Sequence, residues 1–263
     1  MRQGLSLIEI CIVLVIIGLV AGGVITGQSM IRNAKIRSLI TQSNTYNTAV
    51  GTFKQKYKAL PGDMKNAVRY WGARAGGTAD GPDATCKSYF DATHTTTKLT
   101  CNGDGDGKIE YTSTDWSEPW AAWQHLADAG MIPGQYTGQG TNAAGGVDDA
   151  KPGYNCPNSG FRDACFAYTY RGTVSNTNTD WFEGMYGHVM RIGIFAEVDG
   201  TYLTPAEMLE LDTKIDDGLP ALGNIRAYKN FKRPNCTTSD LVTAAYKLTY
   251  EDLGCNIIYL TGF

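Results

Sequence analysis

Between Cys101 and Tyr111 the chain reads Asn102-Gly103-Asp104-Gly105-Asp106-Gly107-Lys108-Ile109-Glu110, oxygen-bearing side chains alternating with glycines. Hard divalent cations are held by such patterns, because alternate side chains and turned backbone carbonyls can face one ion. Against the template of a twelve-residue calcium loop, Asn102, Asp104 and Asp106 fall at positions 1, 3 and 5, and Gly107 at the turn position 6. Lys108 offers its carbonyl at position 7 and Glu110 sits at 9. Position 12 is Ser113 rather than a bidentate glutamate, so a closing ligand must come from elsewhere, with Asp115 and Glu118 near in sequence. The expected cofactor is calcium, and the plainer alternative is a flexible Asp-Gly turn. A second acidic group, Asp212, Asp216 and Asp217, reads as a helix end and turn.

The other chemically conspicuous residue is Glu9, set in the apolar run Leu5 to Ile25. About twenty such residues form a helix of about 30 Å, enough to cross a bilayer core. A carboxylate there costs roughly 2.5–3.5 kcal/mol on insertion scales, and residues kept at that cost are usually paired with something specific. Cleavage after Gly4 would leave Leu5 with a new ammonium group about one turn above Glu9.

The run Gly4-Leu5-Ser6-Leu7-Ile8-Glu9, followed by apolar residues, resembles the processing motif of type IV pilins and type II secretion pseudopilins. The resemblance covers about the first tenth of the chain and implies processing at Gly4 and Leu5. A membrane prepilin peptidase would cut after Gly4 and methylate the new N-terminus, and Glu9 would pair with a neighbouring subunit's amine during filament assembly. Leu5 stands where that family usually carries phenylalanine. Two other readings of the stretch compete: a secretory signal cut near Val20-Ala21-Gly22-Gly23, and a plain anchor with Glu9 reaching the interface. The first requires an unusually long apolar core with a glutamate near its start, and the second leaves Gly4 unexplained.

The chain has 263 residues and a formal charge of −3, a balance that gives no reason to expect a nucleic-acid partner. The basic group Arg226, Lys229, Lys232 and Arg233 reads as solvated surface. Cys11 lies in the apolar run, and the remaining six cysteines come in neighbouring pairs: Cys86 with Cys101, Cys156 with Cys165, Cys236 with Cys255. Paired cysteines suit an exported, oxidising compartment, and no C-x-x-C spacing supports zinc. Arg32, Lys35 and Arg37 outnumber Arg2 across the apolar run, which by charge alone would put the C-terminal part in the cytoplasm. Disulfides would not persist there, so the expected topology is a single pass in a bacterial inner membrane with the large domain in the periplasm.

Apolar residues continue at Ile36, Leu39, Ile40, Tyr46, Val50, Phe53, Tyr57 and Leu60, mostly three or four apart, so one helix is predicted from the apolar run to about Leu60, ended by Pro61-Gly62. The predicted divisions are a leader 1–4, a membrane and assembly helix 5–27, its amphipathic continuation 28–60 and a globular domain 61–263. In the last, a helix is expected near 117–129, strands near 165–171, 189–196, 225–228 and 256–260, and a capped helix opening at Thr204-Pro205-Ala206-Glu207. The fold class expected is α+β: a pilin-like long helix packed on an antiparallel sheet with disulfide-stapled loops.

Trp116, Trp120 and Trp123 read as core aromatics at helical spacing, with a sugar platform as the alternative. The three histidines His94, His125 and His188 are scattered, no hydrolase, zincin or phosphate-loop motif occurs, and no enzymatic activity is expected. The function expected is a structural subunit assembling with like subunits into a pseudopilus or pilus. The alternative is a membrane-anchored envelope protein that binds a ligand through its tryptophan-rich loops.

Overall fold

The computed structural model describes residues 7–73, 99–110, 118–140, 150–194, 200–229 and 232–263. Gly4, Leu5, Cys86, His94, Ser113, Asp115 and Trp116 lie outside them. Helix α1 runs unbroken from Leu7 to Tyr57, 51 residues, or about 77 Å at 1.5 Å per residue. Its two halves have opposite environments. Leu7–Val24, the one stretch among the described residues apolar and long enough to cross a membrane, has no part buried against the rest of the chain. Further along, Ile36, Leu39, Ser43, Ala49, Val50 and Phe53 are buried, the stripe that the spacing predicts. The outward threonines do not break the helix, because Thr41, Thr45, Thr48 and Thr52 each donate their hydroxyl to the carbonyl four residues back. Lys58, at φ +57°, ends α1 just before Leu60-Pro61-Gly62.

A one-turn helix α2, Val68–Trp71, follows, then α3, Glu118–Asp128. Strands β1, Cys165–Val174, and β2, Gly184–Gly193, precede helix α4, Pro205–Ile215. Strands β3, Ile225–Arg226, and β4, Ile257–Leu260, complete an antiparallel sheet of order β1-β2-β4-β3. Strand β2 begins five residues before the alternation in the sequence predicts. Its first residues carry two glycines and are drawn in by pairing with the far end of β1, where Val174 faces Gly184. α4 opens with Thr204 accepting from the Glu207 amide while the Glu207 carboxylate accepts from the Thr204 amide, the reciprocal cap legible in the sequence.

The core lies where α1 and α3 meet the sheet. Tyr46 of α1 packs edge-on to Trp123 of α3 and Phe166 of β1, each at 5.1 Å, and Trp123 stacks on Tyr168 at 5.0 Å. Polar tips join the same layers: Tyr168 donates to Asn47 at 3.0 Å and Tyr259 to Asn44 at 3.2 Å. Trp120 and Trp123 are fully buried and so form the core, not an exposed platform. Disulfides join Cys156 to Cys165 and Cys236 to Cys255, and Cys11 is free. Cys101 is disulfide-bonded, but its expected partner Cys86 falls outside the described residues. The architecture is thus α+β, with an apolar N-terminal helix, a four-stranded antiparallel sheet and stapled loops.

Candidate functional site

The loop 102–110 has no regular secondary structure, so its amides need other acceptors. Most come from side chains far along the chain. Gly103 donates to the Met64 carbonyl at 3.0 Å, and Gly107 to Oδ2 of Asp63 at 3.1 Å. Glu118, at the start of α3, takes two amides at once, Asp104 on Oε1 at 3.3 Å and Glu110 on Oε2 at 3.1 Å. Ile109 donates to Nε2 of His188 in β2 at 3.1 Å. The other ring nitrogen of His188 lies 3.0 Å from the carbonyl of Phe263. Since Nε2 accepts, Nδ1 carries the proton and donates. Burial lowers the pKa of this imidazole, which suits the neutral form that the arrangement needs.

The turn after α1 is fixed in the same way. His125 of α3 is fully buried; its Nδ1 accepts from the Gly62 amide at 2.9 Å, and Nε2 faces Thr100 Oγ1 at 3.0 Å and the Cys101 carbonyl at 3.3 Å. Gly62 has φ +89°, and a Cβ there would stand 2.4 Å from the Glu118 carbonyl oxygen, so only glycine fits. Gly103 is excluded from larger side chains by contact alone: a Cβ would lie 2.3 Å from the Gly62 oxygen. The loop and the turn are therefore in backbone contact.

That contact changes the membership of the acidic group. Asp63, the residue directly after the Pro61-Gly62 stop of α1, joins Asp104 and Asp106, with one carboxylate oxygen from each within 4.8 Å of the others. Asn102, at the template's first position, is engaged by the fold through its side-chain oxygen. It is fully buried, and its Oδ1 accepts from the Val68 amide at 2.9 Å, starting α2. Glu110 contributes its amide to Glu118, while its carboxylate is not among the three gathered oxygens. Lys108 donates its amide to Asp106 Oδ1 at 2.8 Å and pairs its ammonium with Oδ2 of the same residue. The loop leans on the turn after α1, an earlier segment, so the acidic group draws on Asp63 as well as on the template's own positions.

Electrostatics reflect the crowding. Burial pushes the pKa of Asp63 up to about 6, opposed by the Gly107 and Gly105 amides and helped by Asp104 and Asp106. Burial likewise pushes Glu118 up to about 8, with its two amide donors opposing and Asp63 and Asp104 adding to the rise. Oδ1 of Asp63 is buried with no hydrogen-bond partner. Beside the group opens a cleft of about 820 Å³ lined by Lys54, Lys58, Lys65, Asp63, Asp104 and Gly107, among others.

The second acidic group differs in kind, because each of its carboxylates is used to build structure. Asp212 accepts from the Tyr246 hydroxyl at 2.7 Å, Asp216 from the Ile225 amide at 2.8 Å and Asp217 from the Leu219 amide at 2.8 Å. In the basic group, Lys229 is buried and donates to the carbonyls of Asn176 and Asn178, while Arg226 lies over the Tyr186 ring at 4.5 Å. Among the described residues neither arrangement forms a phosphate track. Comparison with protein-family models, curated proteins and solved structures finds no match for this chain.

Proposed function

We propose that this chain is a filament subunit of the pilin or pseudopilin kind, held in a bacterial inner membrane by the first half of α1 and later packed through it against like subunits. The observation that carries the reading is the division of α1. One continuous helix builds the core of its own domain with Ile36, Leu39, Val50 and Phe53, yet leaves the 18 residues Leu7–Val24 wholly uncovered. Apolar surface on that scale needs lipid or protein around it. Glu9 lies in that uncovered stretch, where a neighbour's N-terminal ammonium would neutralise it.

In this reading prepilin peptidase cuts after Gly4, Leu5 becomes the N-terminus, and the disulfide-bonded domain stands in the periplasm as the filament surface. The pilin-like fold is part of the same proposal, supported by a long helix laid on an antiparallel sheet. The test is mass spectrometry of the mature N-terminus from cells that carry the peptidase. Leu5 is the expected first residue. Met1, or a start after Gly22, would overturn the proposal and favour the anchored binding protein or an ordinary signal.

A further inference from the structure

We infer that Asp63, Asp104 and Asp106 hold one calcium ion, which fastens the loop 102–110 to the turn that ends α1. The inference does not depend on the filament reading. Three carboxylates brought together would not suffice for it, since the group at Asp212, Asp216 and Asp217 is equally close and is explained by its own turn. The difference is Asp63. Asp63 is 3% exposed, one oxygen takes the Gly107 amide, and the other is buried without a well-formed hydrogen bond, the Gly105 amide only lying near the carboxylate. A polar oxygen in that position costs free energy unless a partner arrives. One oxygen of Asp63 lies within 4.8 Å of an oxygen from each of two further carboxylates, a grouping whose combined negative charge a divalent cation would balance.

The dimensions suit calcium. Ligand oxygens on opposite sides of a calcium ion lie about 4.6–5.2 Å apart, from its bond lengths of 2.3–2.6 Å, and the three oxygens here fall within 4.8 Å. Magnesium holds its ligands at about 2.0–2.1 Å, keeps several of its waters and is usually bound by one or two carboxylates, so a group of three favours calcium. The adjoining cleft, bordered by Lys54, Lys58, Lys65 and Arg69 on its other sides, leaves room for the waters that complete a shell of about 6–8 oxygens. Asp106 now shares Oδ2 with the Lys108 ammonium. Calcium must displace that group, so the affinity expected is that of extracellular calcium modules, with a Kd on the order of 10⁻⁴–10⁻³ M.

The experiment is equilibrium dialysis with radioactive calcium on the full-length chain in detergent, paired with thermal melting in millimolar calcium, in magnesium and in chelator. One calcium per chain is expected, with a melting temperature raised in calcium alone. Asp63→Asn should bind about tenfold more weakly or not at all and melt identically in calcium and chelator, while Asp217→Asn in the second acidic group behaves as wild type. Should Asp63→Asn fail to fold, the exposed Asp106→Asn gives the same readout. Wild-type melting that ignores chelator, or a calcium response surviving in Asp63→Asn and Asp106→Asn, would overturn the assignment.

Discussion

The Gly62 amide donates to Nδ1 of His125 across 2.9 Å, and this bond joins the turn that ends α1 to the middle of α3. The ring packs beside both Trp71, at 5.3 Å, and Phe53, at 6.4 Å, which also touch each other. It works only as a neutral imidazole, because protonation of Nδ1 would set a second donor against the Gly62 amide.

A pH dependence follows, with a definite sign. Burial lowers the pKa of His125 from 6.5 to about 4, with the Cys101 carbonyl opposing. Between those values the unfolded chain takes up a proton that the folded chain refuses, so stability present above about pH 6.5 falls away toward pH 4. The group's share is roughly 3 kcal/mol. Urea unfolding of wild type and His125→Gln across this range checks it: the variant loses that slope, whatever its stability at neutral pH. Equal slopes would sink the account.

Gly103→Ala is expected to cost about 1–3 kcal/mol as an overpacked contact, since its Cβ would meet the Gly62 oxygen at 2.3 Å and Asp63 backbone atoms at 2.4–2.5 Å. Denaturant midpoints measure the loss. Gly107→Ala makes a useful comparison, because space is open there and only its φ of +87° resists the change. A neutral Gly103→Ala would show that loop and turn are not in the close contact described.

Glu207 carries more than its cap. Arg162 grips it through two nitrogens at 2.7 and 3.0 Å, and Arg32 of α1 approaches at 3.4 Å. Burial raises the carboxyl's pKa, but Arg162, the Thr204 amide and Arg32 outweigh it and hold the group below its ordinary value. Glu207→Ala should therefore cost about 3 kcal/mol, the range for breaking a buried pair. Arg32→Ala, whose side chain is 57% exposed, should cost less than about 1 kcal/mol. A double-mutant cycle between Arg162 and Glu207 checks the coupling, and additivity would refute it.

For the assembly reading, Gly4→Val is expected to remain uncut, because a side chain then crowds the scissile bond. Glu9→Ala is expected to be processed normally yet absent from sheared filaments, since an unpaired ammonium in an apolar core costs several kcal/mol. Normal cleavage of the first variant, or wild-type filament yield from the second, would remove the corresponding role.

Local signals carried much of the fold into the sequence. The stripe through Ile36, Leu39, Val50 and Phe53 and the reciprocal cap of Thr204 and Glu207 are set by residues a few positions apart, and the helices formed where those patterns lie. The two disulfides followed from neighbouring cysteines. The candidate site was only half visible. Asp104 and Asp106 announced themselves by alternation with glycine, but Asp63 joins them through a contact between distant segments that no local pattern encodes. His125 and His188 were read as scattered because their work is to bridge backbone amides, a role without a motif. A strand is expected at 225–228, and it forms only over Ile225–Arg226, the two residues that pair with β4.

The wiring of loop 102–110 bears on how the protein opens. Surface loops ordinarily exchange amide hydrogens with solvent through small local fluctuations. Here the amides of Gly103, Asp104, Gly107, Ile109 and Glu110 are held by acceptors on the turn, α3 and β2. None can be freed without disturbing one of those elements. Deuterium uptake at these five positions should thus keep pace with opening of the whole domain, making an irregular segment as slow an exchanger as the sheet.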